Sequence, residues 1–202
     1  MATSSENSPE ERIILATIAC IERQGPQNVT IRSIAKEAGV NSAAINYYFR
    51  SKEKLVAHVM ATTLDHLFED LEAIVADDSL NPTERMSEIL DYLIDGATRY
   101  PGITRAHIYE TMTGATAESP FADRMNAVLS KLRTRLLARG DGENPKLRER
   151  QFDLYLIELV SAAMLPAIMP TFFRGFSGRD FRDSRTRKSY VRSLMEHSDF
   201  GW

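Results

Sequence analysis

Residues 29–55 read VTIRSIAKEAGVNSAAINYYFRSKEKL, and their caps and spacing describe two short helices joined by a tight turn. Thr30 stands where an N-cap belongs, its hydroxyl free to accept an otherwise unpaired first-turn amide, and Ile31, Ile34, Ala35 and Ala38 follow at helical spacing. Gly39 ends that helix, because glycine reaches the left-handed conformation of a C′ position at little steric cost. Val40 plugs the corner, and Asn41 caps a second helix running to about Tyr48. The start of this second helix is small and polar (Asn41, Ser42, Ala43), so nothing bulky keeps it out of a DNA major groove about 12 Å wide. Ile45 and Phe49, four apart, pin it to the body, and Tyr47, Tyr48, Arg50 and Lys52 are within reach of phosphates.

Charge supports this locally. Thr30 to Lys54 holds five basic residues (Arg32, Lys36, Arg50, Lys52, Lys54) against Glu37 and Glu53, in a chain whose formal charge is -3. From Val56 to Tyr100 the balance reverses, with ten acids against Arg85 and Arg99, so only one end of the chain welcomes phosphate. Most of those acids read as a solvated helix face, which leaves the capped helix, turn and aromatics beside the basic cluster to be explained separately.

These residues resemble the head of TetR-family transcriptional regulators over about residues 9 to 60. Gly25 matches the glycine ending the family's helix 1, Thr30 its helix 2 cap, and Tyr47, Tyr48, Phe49 and Lys52 the aromatic pair, phenylalanine and lysine closing its recognition helix. Asn46 stands where better-known members often carry tyrosine, and Arg50 replaces a frequent glycine or lysine. The resemblance implies that Arg32, Asn41, Ser42, Ala43 and Asn46 face base edges, and that Thr30, Tyr47, Tyr48 and Lys52 hold phosphates. It also implies dimerisation through the last two long helices, with Tyr190, Val191, Leu194 and Met195 supplying the partner stripe.

The 202 residues, 43% of them hydrophobic, suit a small head plus one core domain. The expected fold is all-α: a tail over 1–7, a three-helix helix-turn-helix head over 8–51, and a helical bundle over 52–202 that dimerises. Cys20, the lone cysteine, lies on the apolar stripe of helix 1 and reads as a core residue rather than a redox sensor. MATSSENSPEER carries no apolar signal region, so a cytoplasmic location is expected. Ser8-Pro9-Glu10-Glu11 and Asn81-Pro82-Thr83-Glu84 each place a capping side chain, proline at N1 and glutamate at N3; Ser119-Pro120 repeats the start without the acid. Ser51 opens a long amphipathic helix over about 52–76, with Leu55, Val59, Leu64, Leu67, Leu71 and Ile74 inside. Further helices are expected at about 82–99, 102–113, 120–139, 146–172 and 187–197, broken at Pro101, Gly114, Gly140 to Asn144, and an Arg174 to Ser184 loop.

Leu154 to Phe173 is apolar enough to suggest a membrane span, but Glu158, prolines at 166 and 170, and the polar lead-in from Lys146 to Asp153 favour burial against a second subunit. The basic segment from Arg174 to Arg192 offers a second nucleic-acid contact as one reading and, in preference, a mobile loop and helix face near the acidic bundle. No phosphate loop, HExxH or metal-ligand spacing of Cys and His is present, and His66 with Asp70 reads as a surface pair. The expected function is a homodimeric DNA-binding regulator, not an enzyme, with no cofactor or metal: a repressor released from a palindromic double-stranded operator by a small-molecule effector. Tyr92, His107, Tyr109, Glu110 and Met112 are candidates for lining the effector cavity. The alternatives are a DNA-binding protein of the same fold controlled by a protein partner, and a helical binding protein or enzyme that no longer binds DNA.

Overall fold

The computed structural model describes residues 8–113, 119–137 and 145–197, and among them every regular element is helical. The expected tail at 1–7, the break at Gly114 and the turn at Gly140 to Asn144 lie outside the described residues. The elements are α1 (Pro9–Gln24), a 3-10 turn (Pro26–Asn28), α2 (Ile31–Ala38), α3 (Ser42–Phe49), α4 (Lys52–Ala76), α5 (Pro82–Arg99), α6 (Pro101–Thr113), α7 (Pro120–Leu137), α8 (Pro145–Ile168), α9 (Pro170–Ser177) and α10 (Ser184–His197).

The starts follow the caps. Ser8 and Glu11 form a capping box, with Glu11 N donating to Ser8 Oγ at 3.2 Å and Ser8 N to Glu11 Oε2 at 2.8 Å. Asn81 and Glu84 repeat it at α5, and Ser119 Oγ accepts from Ala122 N at α7. The long helix expected over 146–172 is broken instead. Pro170 has no N–H to donate back into α8, so Met169 leaves helical geometry (φ -116, ψ 52) and α9 starts afresh, turning the first part of the expected loop into helix. Asp183 then caps α10 three residues before its expected start, accepting from Thr186 N at 2.8 Å.

Two apolar cores result. The head core joins Ile13, Ala16, Cys20 and Ile21 of α1 to Ile34, Ala35 and Ala38 of α2 and Ile45 and Phe49 of α3, and it also takes Leu55 and Val59 of α4 and Ile103 of α6. The body core is built from α4, α5, α7 and α8, closed by Phe181 and Val191. In α4 the sides of the helix differ slightly from expectation: Phe68 and Val75 are buried, whereas Leu67 and Ile74 only pack partly against the core.

The acids of α4 and α5 form more than a solvated face. Asp65 pairs with Arg124 at 2.5 Å and Glu72 with Lys131 at 2.8 Å, and Asp78 pairs with Arg135, so α4 is tied to α7 along its length. Asp70 accepts from Tyr92 Oη at 2.5 Å rather than pairing with His66. Within the basic segment, Arg187 is buried between α5 and α10: its guanidinium reaches Asp91 at 3.3 Å and Asp95 at 2.8 Å and donates to the carbonyls of Phe181 and Arg182. Truncating such a residue strands the Asp91 carboxylate and leaves Asp95 with the exposed Arg99 as its partner, so Arg187→Ala is expected to lower stability by about 3 kcal/mol in urea denaturation. A loss within error of zero would show that α10 is held by apolar contacts alone.

The face of α8 turned inward carries Phe152, Tyr155, Leu156, Leu159, Ala163 and Ala167, while Leu154, Ile157 and Leu165 stand exposed on the other side. Its stretch Lys146–Ile168 is long and apolar enough to cross a membrane, yet one face is committed to the chain's own core. The partner stripe expected on α10 is mostly spent within the protomer: Val191 is buried, Tyr190 Oη donates to Ala162 O at 2.7 Å, and Leu194 and Met195 pack against the body core. Apolar surface is left open on α8 and also on α9, where Phe172 and Phe176 are 62% and 73% exposed, while Tyr190, Leu194 and Met195 of α10 are only partly buried.

Candidate nucleic-acid interface

The turn between α2 and α3 opens on two backbone hydrogen bonds. Gly39 takes the left-handed conformation (φ 65, ψ 36), its N–H donates to Ala35 O, and Val40 N donates to the same carbonyl at 3.0 Å. Thr30 and Ser33 cap α2 reciprocally, Ser33 N donating to Thr30 Oγ1 and Thr30 N to Ser33 Oγ, each at 3.1 Å. Arg23 of α1 pairs with Glu37 at 2.7 Å, fastening α2 to α1. Ile45, fully buried, and Phe49 anchor α3 in the head core.

That anchoring decides which side of α3 remains outside. Ser42, Ala43, Asn46 and Tyr47 are exposed at successive turns, and Tyr47 is 73% exposed with its ring edge-on to Tyr48 at 5.2 Å. Tyr48 is 39% exposed and leans toward Phe49, which in turn lies 5.8 Å from the His58 ring of α4. Asn41 is exposed but not wholly available, since its Oδ1 accepts from Ala44 N at 2.8 Å as the cap of α3. Only its Nδ2, a donor, is left to read an acceptor on a base. Thr30 is likewise engaged through its capping hydroxyl.

Around this face the cations carry little compensation. Among the described residues, Arg32, Lys36, Arg50 and Lys54 form no ion pair within 4 Å, and Lys52 approaches only its neighbour Glu53, at 3.8 Å. Ser51 caps α4 through Lys54 N at 3.2 Å, so the positive end of the α4 dipole opens beside Lys52.

Arg50 was legible as an unusual residue, though not as a strained one. It is the only non-glycine at positive φ among the described residues (φ 70, ψ -39), and Ser51 N donates to Phe49 O at 2.8 Å across it, closing a γ-turn. Such a turn is costly for a residue with a Cβ. It allows α3 to stop and α4 to start within two residues, which keeps both helix ends on one surface.

The five effector candidates separate. Tyr92 is spent on Asp70, Tyr109 and Met112 are 62% and 78% exposed on α6, and Glu110 belongs to α6 with its side chain outside the described residues. His107 is the buried one: its ring stacks on Phe121 at 6.0 Å, its Nε2 finds no hydrogen-bond partner, and burial pushes the imidazole down to about 4, so it is neutral at pH 7.

Residues 13–59 match the family described as bacterial regulatory proteins, tetR family. The nucleoid occlusion factor SlmA of Shewanella amazonensis is 27% identical over 136 residues, 67% of this chain and 68% of that protein. SlmA of Idiomarina loihiensis is 32% identical over 114 residues, 56% of this chain and 57% of that protein. Among solved structures, a putative transcriptional regulator from Streptomyces coelicolor shares the fold with a TM-score of 0.63 at 22% identity, over 94% of this chain and 98% of that one. A TetR transcription regulator from Haloarcula marismortui does so at 0.58 and 21%, over 95% and 96%. The likeness in fold therefore extends through the body as well as the head.

Replacing Arg50 by glycine relieves about 1–3 kcal/mol of backbone strain and costs about 0.5–1 kcal/mol of glycine entropy. Arg50→Gly is thus expected to raise stability by about 1 kcal/mol in urea denaturation while lowering affinity for duplex DNA; a destabilised variant would mean that the turn is relaxed.

Proposed function

We propose that the chain, whose residues 13–59 match the tetR family of bacterial regulatory proteins, is a member of that family and a homodimeric repressor that leaves a palindromic operator when a small molecule binds its body. The observation that carries the reading is the exposed face of α3, held outward by buried Ile45 and Phe49 and flanked by cations among which only Lys52 has an ion pair, a long one to Glu53. In this reading α3 enters the major groove, and Asn46, Ser42, Ala43, the Nδ2 of Asn41 and Arg32 meet base edges. Tyr47, Tyr48 and Lys52 hold the phosphates on either side, and Thr30 joins them by turning its hydroxyl proton from Ser33 to a phosphate oxygen. One eight-residue helix reads only a few base pairs, so useful affinity calls for two heads set by a symmetric interface. The open stripe of Leu154, Ile157 and Leu165 on α8 supplies that interface.

The effector is expected to take the unpartnered Nε2 of His107, beside Phe121 and Phe68, as its polar anchor. A ligand releases DNA only by preferring a conformation whose heads are wrongly spaced, because equal affinity for both states shifts nothing. The nucleoid occlusion factors among its relatives suggest a second reading, a role in nucleoid occlusion rather than in ligand-released repression.

Two measurements check the proposed roles. Asn46→Ala is expected to cost about 1–3 kcal/mol on the preferred site and little on random duplex, whereas Lys52→Ala weakens both and reduces the salt slope by about one. Equal losses on both DNAs for the two variants would sink the assignment of α3 to base readout. Ile157→Arg, at a position 62% exposed and therefore harmless to the protomer core, is expected to yield a folded monomer in sedimentation; an intact dimer would place the interface elsewhere.

A further inference from the structure

The end of α1 and the start of α6 meet at the seam between the two cores. Glu22, within the last turn of α1, directs its carboxylate at the first amides of α6: Gly102 N donates to Oε2 at 2.6 Å and Ile103 N to Oε1 at 2.8 Å. First-turn amides have no partner inside their own helix, and a carboxylate at this point also faces the positive end of the helix dipole. The approach is closer than a side chain allows, because a Cβ on Gly102 would lie 2.6 Å from Glu22 Cα and 3.0 Å from Ile21 O. Ile103, the next residue, is 6% exposed and packs in the head core, although α6 continues into the body.

These three residues change the mechanics of the head. A head carried on α4 alone is free to tilt about that stalk; a second attachment, eighty residues further along the chain, removes the tilt and leaves only rotation about the line joining the two contacts. The clasp borders an open groove lined by Gln24, Gln27, Arg105 and Tyr109, so water is at hand to take over the two amides when it opens. We infer that Glu22 is a positioning residue that fixes the tilt of the head on the body through the N-terminus of α6. Any link to operator spacing rests on the DNA-binding reading above; the mechanical role does not.

The test uses the full chain without DNA, so that a failure of the DNA reading does not touch it. Spin labels on cysteines introduced by Gln27→Cys in the head and Glu88→Cys in the body report the tilt, and amide exchange at Gly102 and Ile103 reports the clasp. The native pair is expected to give one narrow distance. Glu22→Ala broadens or shifts it and speeds exchange of the two amides by about 10- to 100-fold, the range for losing a charge-assisted hydrogen bond. Glu22→Gln, which keeps one acceptor oxygen, falls between, and Gly102→Ala reproduces the broadening by forcing the helices apart. A label distance that stays narrow and unmoved in Glu22→Ala, whether or not exchange or thermal stability changes, overturns the inference.

Discussion

One helix belongs to two cores, and the arrangement of the whole molecule follows from it. The twenty-five residues of α4 span about 38 Å, burying Leu55 and Val59 in the head and Leu64, Phe68, Leu71 and Val75 in the body. Its first turn presents Ser51, Lys52 and the open end of its dipole beside α3, while its middle and last turns are fastened to α7 by ion pairs and to the turn before α5 by Arg85, which donates to the carbonyls of Ile74, Val75 and Leu80. A rigid element with one end at a phosphate-facing surface and the other in a packed bundle transmits displacement in either direction. The clasp of Glu22 on α6 makes α4 one of two such links rather than the sole one.

The same constraint explains why the head is small and strained where it is. Two eight-residue helices, α2 and α3, are too short to be stable by themselves, so they depend on α1 behind them and on the first turns of α4. Fitting α3 and α4 end to end requires the chain to reverse within Arg50 and Ser51, and the positive φ of Arg50 is the consequence. Glycine would take that conformation more easily; arginine adds a cation at the surface where phosphate is expected.

Local chemistry was legible and distant chemistry was not. The caps at Ser8, Thr30, Asn41, Ser51 and Asn81, the left-handed Gly39 and the inward residues Ile34, Ile45 and Phe49 follow from spacings of a few residues, which is the range over which capping and amphipathicity act. The break at Pro170 was within reach, since the proline was visible; the apolar run around it outweighed the missing N–H. Contacts between residues far apart left no such trace: Glu22 with Gly102 and Ile103, and Arg187 with Asp91 and Asp95, join segments whose spacing in the chain carries no periodicity. The division of α10 is similar. Tyr190, Val191, Leu194 and Met195 form an apolar stripe, but whether a stripe meets its own bundle or a second subunit is a property of the packed chain: Val191 is buried in the body core, and the other three are partly buried against it.

Selecting binding sites from a pool of random duplexes with the full-length chain tests the head-in-groove geometry most directly. Enrichment of a palindrome is expected, with half-sites centred about 34–36 Å or a multiple apart and chains bound in even number. Enrichment of a lone, unrepeated half-site bound tightly by one chain, or no enriched sequence at all, would contradict it.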